Sequence, residues 1–260
     1  MFKVGNPPNQ RVIAFRRSLP ARRGAATEAP GLVWLCGYRS DMDSTKASAL
    51  DAEAERLDLG LLRLDYSGHG RSEGKLADGS ISRWLEETLA IFRAETEGPQ
   101  IVLGSSMGGW LALLAARALH QAGEGGRIAG LILIAPAVDF TEALLWEHLP
   151  AEARSAIIEE GAWRRPSAYS DEPDCFTRAL IEDGREHLLF GGMIRTGCPT
   201  VVLQGMRDED VPYAHALGLM ERLGGDPATL TLIKDGDHRL SRPQDLELLF
   251  AALGRMAEAR

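Results

Sequence analysis

The chain has 260 residues, 45% of them hydrophobic and 25% charged, with a formal net charge of -8. That is an ordinary globular composition, long enough to bury a sizeable core in one large or two small domains. The acidic balance argues against nucleic-acid binding, which needs a basic surface against phosphates, and no apolar run approaches the ~20 residues that span a bilayer. Cys36, Cys175 and Cys198 are odd in number, widely spaced and without a C-x-x-C. Neither a disulfide framework nor a zinc site is implied, and a reducing cytoplasm is the expected compartment.

The first 24 residues carry six basic side chains and no acidic one, as organelle transit segments do. Within them, however, 11–15 has the pattern of an edge strand, and a folded strand is the preferred reading. Residues 21–30 make a polar, small-residue connection. The apolar run 31–37, bounded by glycines, predicts a central strand buried on both faces. A helix follows over 43–58, capped by Asp43 or Ser44, then a strand over 59–64 that empties into the turn-rich 65–72. Ile81, Trp84, Leu85, Thr88, Leu89 and Phe92 recur at helical spacing within 80–97. Next come a short strand at 101–103, a small-residue turn, a helix from Trp110 to near His120, and a buried strand at 128–134.

This alternation predicts an α/β fold, a mostly parallel sheet flanked by helices on both faces. The rhythm breaks over 139–196, where helix-like pieces are interrupted by Pro150, Pro166 and Pro173 and no convincing strand is visible. It resumes with a strand at 199–204, a helix over 211–223, a strand at 229–233 and a last helix from about Pro243. We read 1–260 as one domain, with 139–196 a helical insertion over the carboxyl ends of the strands, where open α/β sheets bind ligands. The insertion's Leu144, Leu145, Trp146, Leu149, Ile157, Ile158, Trp163, Phe176, Leu188, Leu189 and Phe190 are expected to divide between packing and an acyl pocket.

The turn before the Trp110 helix reads Gly104-Ser105-Ser106-Met107-Gly108, a G-x-S-x-G around Ser106. The pattern puts a serine on a sharp strand-to-helix elbow. Glycines on either side leave no Cβ to collide, and the hydroxyl stands at the positive end of a helix. Such a serine needs a base, and the base an orienting acid. His238, in the loop after the final strand, is placed to reach back over the sheet. Among the other histidines, His120 ends the elbow helix, His215 lies inside a helix, His148 and His187 fall in the insertion, and His69 precedes the serine.

Asp208, a few residues past the penultimate strand, is the first candidate for the acid that fixes the imidazole tautomer. Asp210 is a close rival, although an N-cap reading also suits it, and Asp139 is a more distant one. Acyl transfer also needs oxyanion donors. Met107 N–H is one, and Tyr38 N–H, turned inward after Gly37, is the other.

Together G-x-S-x-G, Gly205-x-x-Asp208-x-x-Val-Pro and Gly236-Asp-His238 resemble the α/β-hydrolase fold family. The stretches 37–47, 65–70, Ile81-x-x-Trp84 and 104–110 resemble its branch of mitochondrial palmitoyl-protein thioesterases, also described as mycophenolic acid acyl-glucuronide esterases, and their bacterial relatives. The likeness departs at Cys36, where many relatives carry His or Pro, and it is poor through the insertion. It implies a serine hydrolase of acyl thioesters or acyl esters, with Ser106, Asp208 and His238 at the matching positions and no metal or organic cofactor.

Its partner is then a small-molecule or acylated-protein substrate, with no nucleic acid and no stable membrane insertion. The alternatives are a small-molecule carboxylesterase with the same triad and a non-catalytic binding protein on the same fold. Cys36 as a nucleophile lacks a basic neighbour before Arg39. The glycines of 68–74 fit neither dinucleotide nor P-loop spacing. Arg39, Arg207 and Arg239, each one residue from a catalytic element, are candidates for holding an anionic leaving group.

Overall fold

The structure, a computed structural model, describes residues 1–20, 29–165 and 173–258. The connection read at 21–30 lies outside these residues up to position 28, as does Pro166. Strands β1 (Phe2–Val4) and β2 (Arg11–Ile13) form a small antiparallel pair ahead of β3 (Phe15–Ser18). Then β4 (Gly31–Leu35), α1 (Thr45–Arg56), β5 (Leu61–Leu64), α2 (Ile81–Glu95), β6 (Gln100–Ser105), α3 (Met107–Gln121) and β7 (Ile128–Ile134) alternate.

The segment that follows holds a π-helical turn at Phe140–Leu145, α4 (Ala151–Glu160), the antiparallel strands β8 (Ala162–Arg165) and β9 (Asp174–Thr177), and α5 (Arg178–Arg185). The alternation then closes with β10 (Thr200–Gly205), α6 (Tyr213–Arg222), β11 (Ala228–Ile233) and α7 (Pro243–Glu258).

Strands that are apolar on both faces pair with one another in the middle of a molecule. Every residue of β5, β6 and β7 is buried. They lie within a seven-stranded sheet of order β11-β10-β7-β6-β4-β5-β3, in which β3 alone runs antiparallel to its neighbour. Buried apolar residues of the sheet, its helices and the 139–196 segment form one contiguous cluster. From β4 the chain steps to β5 on one side, then returns through α2 to β6 on the other. The strand order therefore reverses between β4 and β6, and a crevice opens beyond their carboxyl ends. That is where the residues after β4 and after β6 meet.

Three expectations need correction. The strand at 11–15 is broken in two at Ala14, whose N–H donates to Ser72 Oγ at 2.8 Å in place of a strand partner while its carbonyl accepts from Asp65 N–H at 3.0 Å. The 139–196 segment is not purely helical: β8 and β9 pair over four residues each, too short a stretch to show a period of two. The elbow helix starts at Met107 rather than Trp110, since its glycines, read as turn residues, are already helical. No helix among the described residues is long and apolar enough to cross a membrane.

Candidate active site

Ser105 ends β6 and Met107 begins α3, so Ser106 alone makes the reversal, at φ 55° and ψ -120°. A non-glycine residue held there stores of order 1–3 kcal/mol of strain and persists only when its surroundings over-determine it. They do so here through Ser106 N–H, which donates to Ile134 O at 2.9 Å, and Ser106 O, which accepts from Ala137 N–H at 3.1 Å. The fold-back brings helix and strand into contact. A Cβ on Gly104 would land on Gly108 O, and one on Gly108 would land on the carbonyl oxygens of Leu35 and Cys36.

The loop after β11 carries His238 over the sheet edge. Its Nε2 lies 3.1 Å from Ser106 Oγ and its Nδ1 lies 2.8 Å from Asp208 Oδ2. Asp208 has a fully buried side chain, and buried carboxylates need donors. Gln204 Nε2 donates to Oδ2 at 3.0 Å, while Asp210 N–H and Val211 N–H donate to Oδ1 at 3.0 and 2.8 Å. The acceptor on Nδ1 fixes the tautomer in which Nε2 is free to accept from the serine. Asp208, Asp210 and His238 also bring potential ligand atoms within 4.8 Å of one another. The carboxylate of Asp208 and both ring nitrogens of His238 already have the hydrogen-bond partners given above.

Of the three acids, Asp208 is the one hydrogen-bonded to His238 Nδ1, with Asp210 close by. Asp210 presents its backbone N–H to Asp208 and lies along the cavity beside Ser106; the N-cap of α6 is Pro212, not Asp210. Asp139 is committed elsewhere, accepting from Leu189 N–H and Phe190 N–H at 2.8 to 3.0 Å. Nor do the other histidines reach the serine. His215 Nε2 lies 2.9 Å from Val138 O, His187 Nε2 lies 2.6 Å from Ser82 Oγ, and His120 and His148 are exposed. His69 is buried against Tyr38, Tyr66 and Trp84, and that burial lowers its pKa to about 4.

Met107 N–H opens α3, and a first-turn amide has no acceptor within its own helix. Tyr38 sits in a turn closed by Ser40 N–H donating to Gly37 O at 3.1 Å. Neither the Tyr38 nor the Met107 amide donates to a backbone acceptor among the described residues. Both residues border the same cavity as Ser106 and His238. Among the described residues, two N–H groups without a backbone acceptor thus border the cavity that holds the hydroxyl.

That cavity measures about 460 Å³, within the range of small-molecule sites. Its lining is mixed: Phe140, Leu144, Leu145, Phe176 and Val211 are apolar, and Ser40, Asp41, Thr45, Lys46, Asp174, Asp210, Arg239 and Ser241 are polar. Of the insertion's leucines and aromatics read from sequence, Leu144, Leu145 and Phe176 line the cavity, whereas Leu149, Ile157 and Leu189 are buried as packing and Ile158 and Leu188 are exposed. Arg39 and Arg239 line it as well, Arg39 already paired with Asp174, and Arg207 does not.

Sequence reasoning missed Lys46, Gln204 and Phe140. Gln204 had a signal, a polar side chain closing an apolar strand four residues before Asp208. Lys46 Nζ donates to Arg239 O and, at 3.4 Å, to Ser241 Oγ, and burial lowers its pKa to about 8. Cys36 is fully buried and that burial, with Asp65 and Asp41 nearby, pushes its thiol up, away from nucleophilic use.

An open α/β sheet with a strained serine at its switch point defines a class, and the comparisons agree. The model of the alpha/beta hydrolase family matches residues 24–249, and the chain belongs to that family. Among relatives, it is 35% identical over 227 residues to the mitochondrial palmitoyl-protein thioesterase ABHD10 of Mus musculus, covering 87% of this chain and 74% of that one. A crystal structure from Agrobacterium vitis S4, provisionally described as a hydrolase, superposes with a TM-score of 0.93 at 48% identity, covering 99% of this chain and 97% of the other. The mouse alpha/beta hydrolase domain-containing protein 10 follows with a TM-score of 0.83 at 32% identity, covering 97% and 96%.

Proposed function

We propose that this protein is a serine hydrolase of acyl thioesters or acyl esters. The observation that carries the reading is the hydrogen-bond chain from Ser106 Oγ through His238 to Asp208, opening on the half-apolar cavity. Ser106 Oγ attacks the acyl carbonyl carbon while His238 Nε2 takes its proton. Negative charge develops on the carbonyl oxygen between the Tyr38 and Met107 amides. Collapse expels the thiolate or alkoxide, which receives the proton from His238. Water, deprotonated by the same nitrogen, then releases the acid from the acyl-serine. Asp208 orients the imidazole and offsets its charge. No metal or organic cofactor enters these steps.

In this reading 1–260 acts as one domain and the 139–196 segment is a cap whose apolar residues receive the acyl chain. The partner is a small-molecule or acylated-protein substrate, and a reducing cytoplasm is the proposed compartment, in keeping with three free cysteines. A second reading, a small-molecule carboxylesterase that includes acyl-glucuronide-type esters, is favoured by the polar lining residues, Lys46 and Arg239 among them. A non-catalytic binder accounts less well for a tautomer-fixed histidine against a strained serine.

Hydrolysis of p-nitrophenyl esters and acyl-CoA thioesters from C2 to C16 separates these readings. The expected result is turnover with an optimum at about C8 or longer, because the apolar lining rewards chain burial at about 0.8 kcal/mol per methylene. A short-chain optimum would select the small-ester reading, and no turnover on any substrate would bring the binder forward.

A further inference from the structure

The turn that carries the Tyr38 amide is strained, and three successive residues of β9 are among those that hold it. Its third residue, Arg39, sits at φ 59°, a position that ordinarily goes to Gly or Asn. Such a conformation costs of order 1–3 kcal/mol and lasts only where neighbours impose it. The β9 contacts are specific. Tyr38 Oη donates to Cys175 O at 2.9 Å, the Tyr38 ring lies on Phe176 with centroids 5.8 Å apart and planes 19° off parallel, and Arg39 Nη1 pairs with Asp174 Oδ1 at 2.6 Å.

Asp174 Oδ2 also meets Arg165 Nε of β8 at 3.5 Å, so the grip involves both strands of the pair. The Arg39–Asp174 pair is mostly shielded from water, with side-chain exposures of 18% and 13%, and so outweighs an ordinary surface pair. Burial raises the Tyr38 phenol pKa, which keeps it a donor. Trp84, His69 and Phe140 complete a ring of aromatics around Tyr38 at 6.0 to 6.1 Å.

We infer that the β8–β9 strand pair is a positioning element for the oxyanion donor: by holding Tyr38 Oη and the Arg39 guanidinium it aims the Tyr38 N–H at the reacting carbonyl oxygen. The inserted segment thereby governs transition-state stabilisation as well as access. This rests on the proposed roles of Ser106 and the Tyr38 amide. The Tyr38 hydroxyl itself touches no reacting atom and acts only through the backbone of its own turn.

The test is Tyr38→Phe, which keeps the ring and deletes the bond to β9, with Asp174→Asn as a second variant should the first fail to fold. For each, kcat and KM are measured on the best ester of the panel, together with inhibition by an acyl trifluoromethyl ketone and by the matching trifluoromethyl carbinol. The ketone adds Ser106 and places an oxyanion between the two amides, whereas the carbinol occupies the cavity without adding. The expected result is kcat down about tenfold, less than the loss of a whole oxyanion donor, with KM within about twofold. The ketone should weaken about tenfold and the carbinol hold.

An unchanged kcat, a rise in KM alone, or equal weakening of both inhibitors would overturn the inference. Ser106→Ala, run beside it, tells the two ideas apart. If wild type is inert, or Ser106→Ala is as active, the hydrolase reading fails and takes the inference with it. If Ser106→Ala is dead and Tyr38→Phe unchanged, the strand pair's role alone fails.

Discussion

Ser106→Ala is expected to lower kcat at least ~10⁴-fold on every ester or thioester that the wild type hydrolyses, with little change in KM. The size follows from what remains. The cavity and both amides persist in the variant, and in serine hydrolases they sustain only the residual ~10³–10⁴-fold rate over water. Stability should be little affected. Alanine carries the same Cβ into the strained φ 55° conformation as serine, and among the described residues the side-chain bond lost is the part-buried one to His238 Nε2. Thermal melts within a few degrees of wild type, beside steady-state kinetics, check this. A loss under about 100-fold would mean another group performs the attack.

Gly108→Ala is expected to damage the fold, and the site at the head of α3 with it. The added Cβ would sit on Leu35 O and lie 2.6 Å from Cys36 O, and both are backbone atoms of buried chain that no rotamer change can move. Helix α3 must then back away from the sheet, with Met107 and the Ser106 elbow at its head. Overpacking of this kind costs typically 1–3 kcal/mol and more where nothing yields. The melting temperature should fall by roughly 2–12 °C, taking ~1–3 kcal/mol at ~2–4 °C per kcal/mol, or the protein should fail to accumulate.

Gly254→Ala is the control. It lies in α7 with nothing within 4 Å of a new Cβ, so the helix-propensity gain of ~1 kcal/mol should raise the melting temperature. Equal behaviour of the two variants would refute the steric account of the elbow.

What was legible in the sequence shared a property: the physical requirement was met within a few consecutive residues. The elbow is one case, since the collision that demands glycine at position 104 arises from a reversal five residues long, although glycine at 108 answers the distant carbonyls of Leu35 and Cys36. The buried strands are another, announced by apolar runs such as Ile128–Ile134, although Arg63 interrupts the run of β5. His238 could be placed because the end of the last strand limits where its loop can go.

Asp208 could not be separated from Asp210 on spacing. The difference lies in Gln204 and two amides, which give Asp208 a buried socket, and in the direction from which His238 arrives. Lys46 was invisible because its part of the cavity exists only where α1 meets the loop at Arg239 and Ser241. The insertion was the least legible. Leu144 and Leu149 look alike as letters, and only the tertiary packing turns one to the cavity and buries the other. The β8–β9 pairing is likewise too short to show a period, although it ties the insertion to the Tyr38 turn.

The most direct test of the central claim is to catch the acyl-enzyme. Wild type is mixed with an octanoyl thioester, quenched in acid within the first turnovers, and digested for mass spectrometry. The account predicts an octanoyl group on the peptide containing Ser106, attached to that side chain, and no such adduct in Ser106→Ala. Turnover in the wild type with Ser106 unmodified under every quench time, or the acyl group on another residue in both proteins, would contradict it.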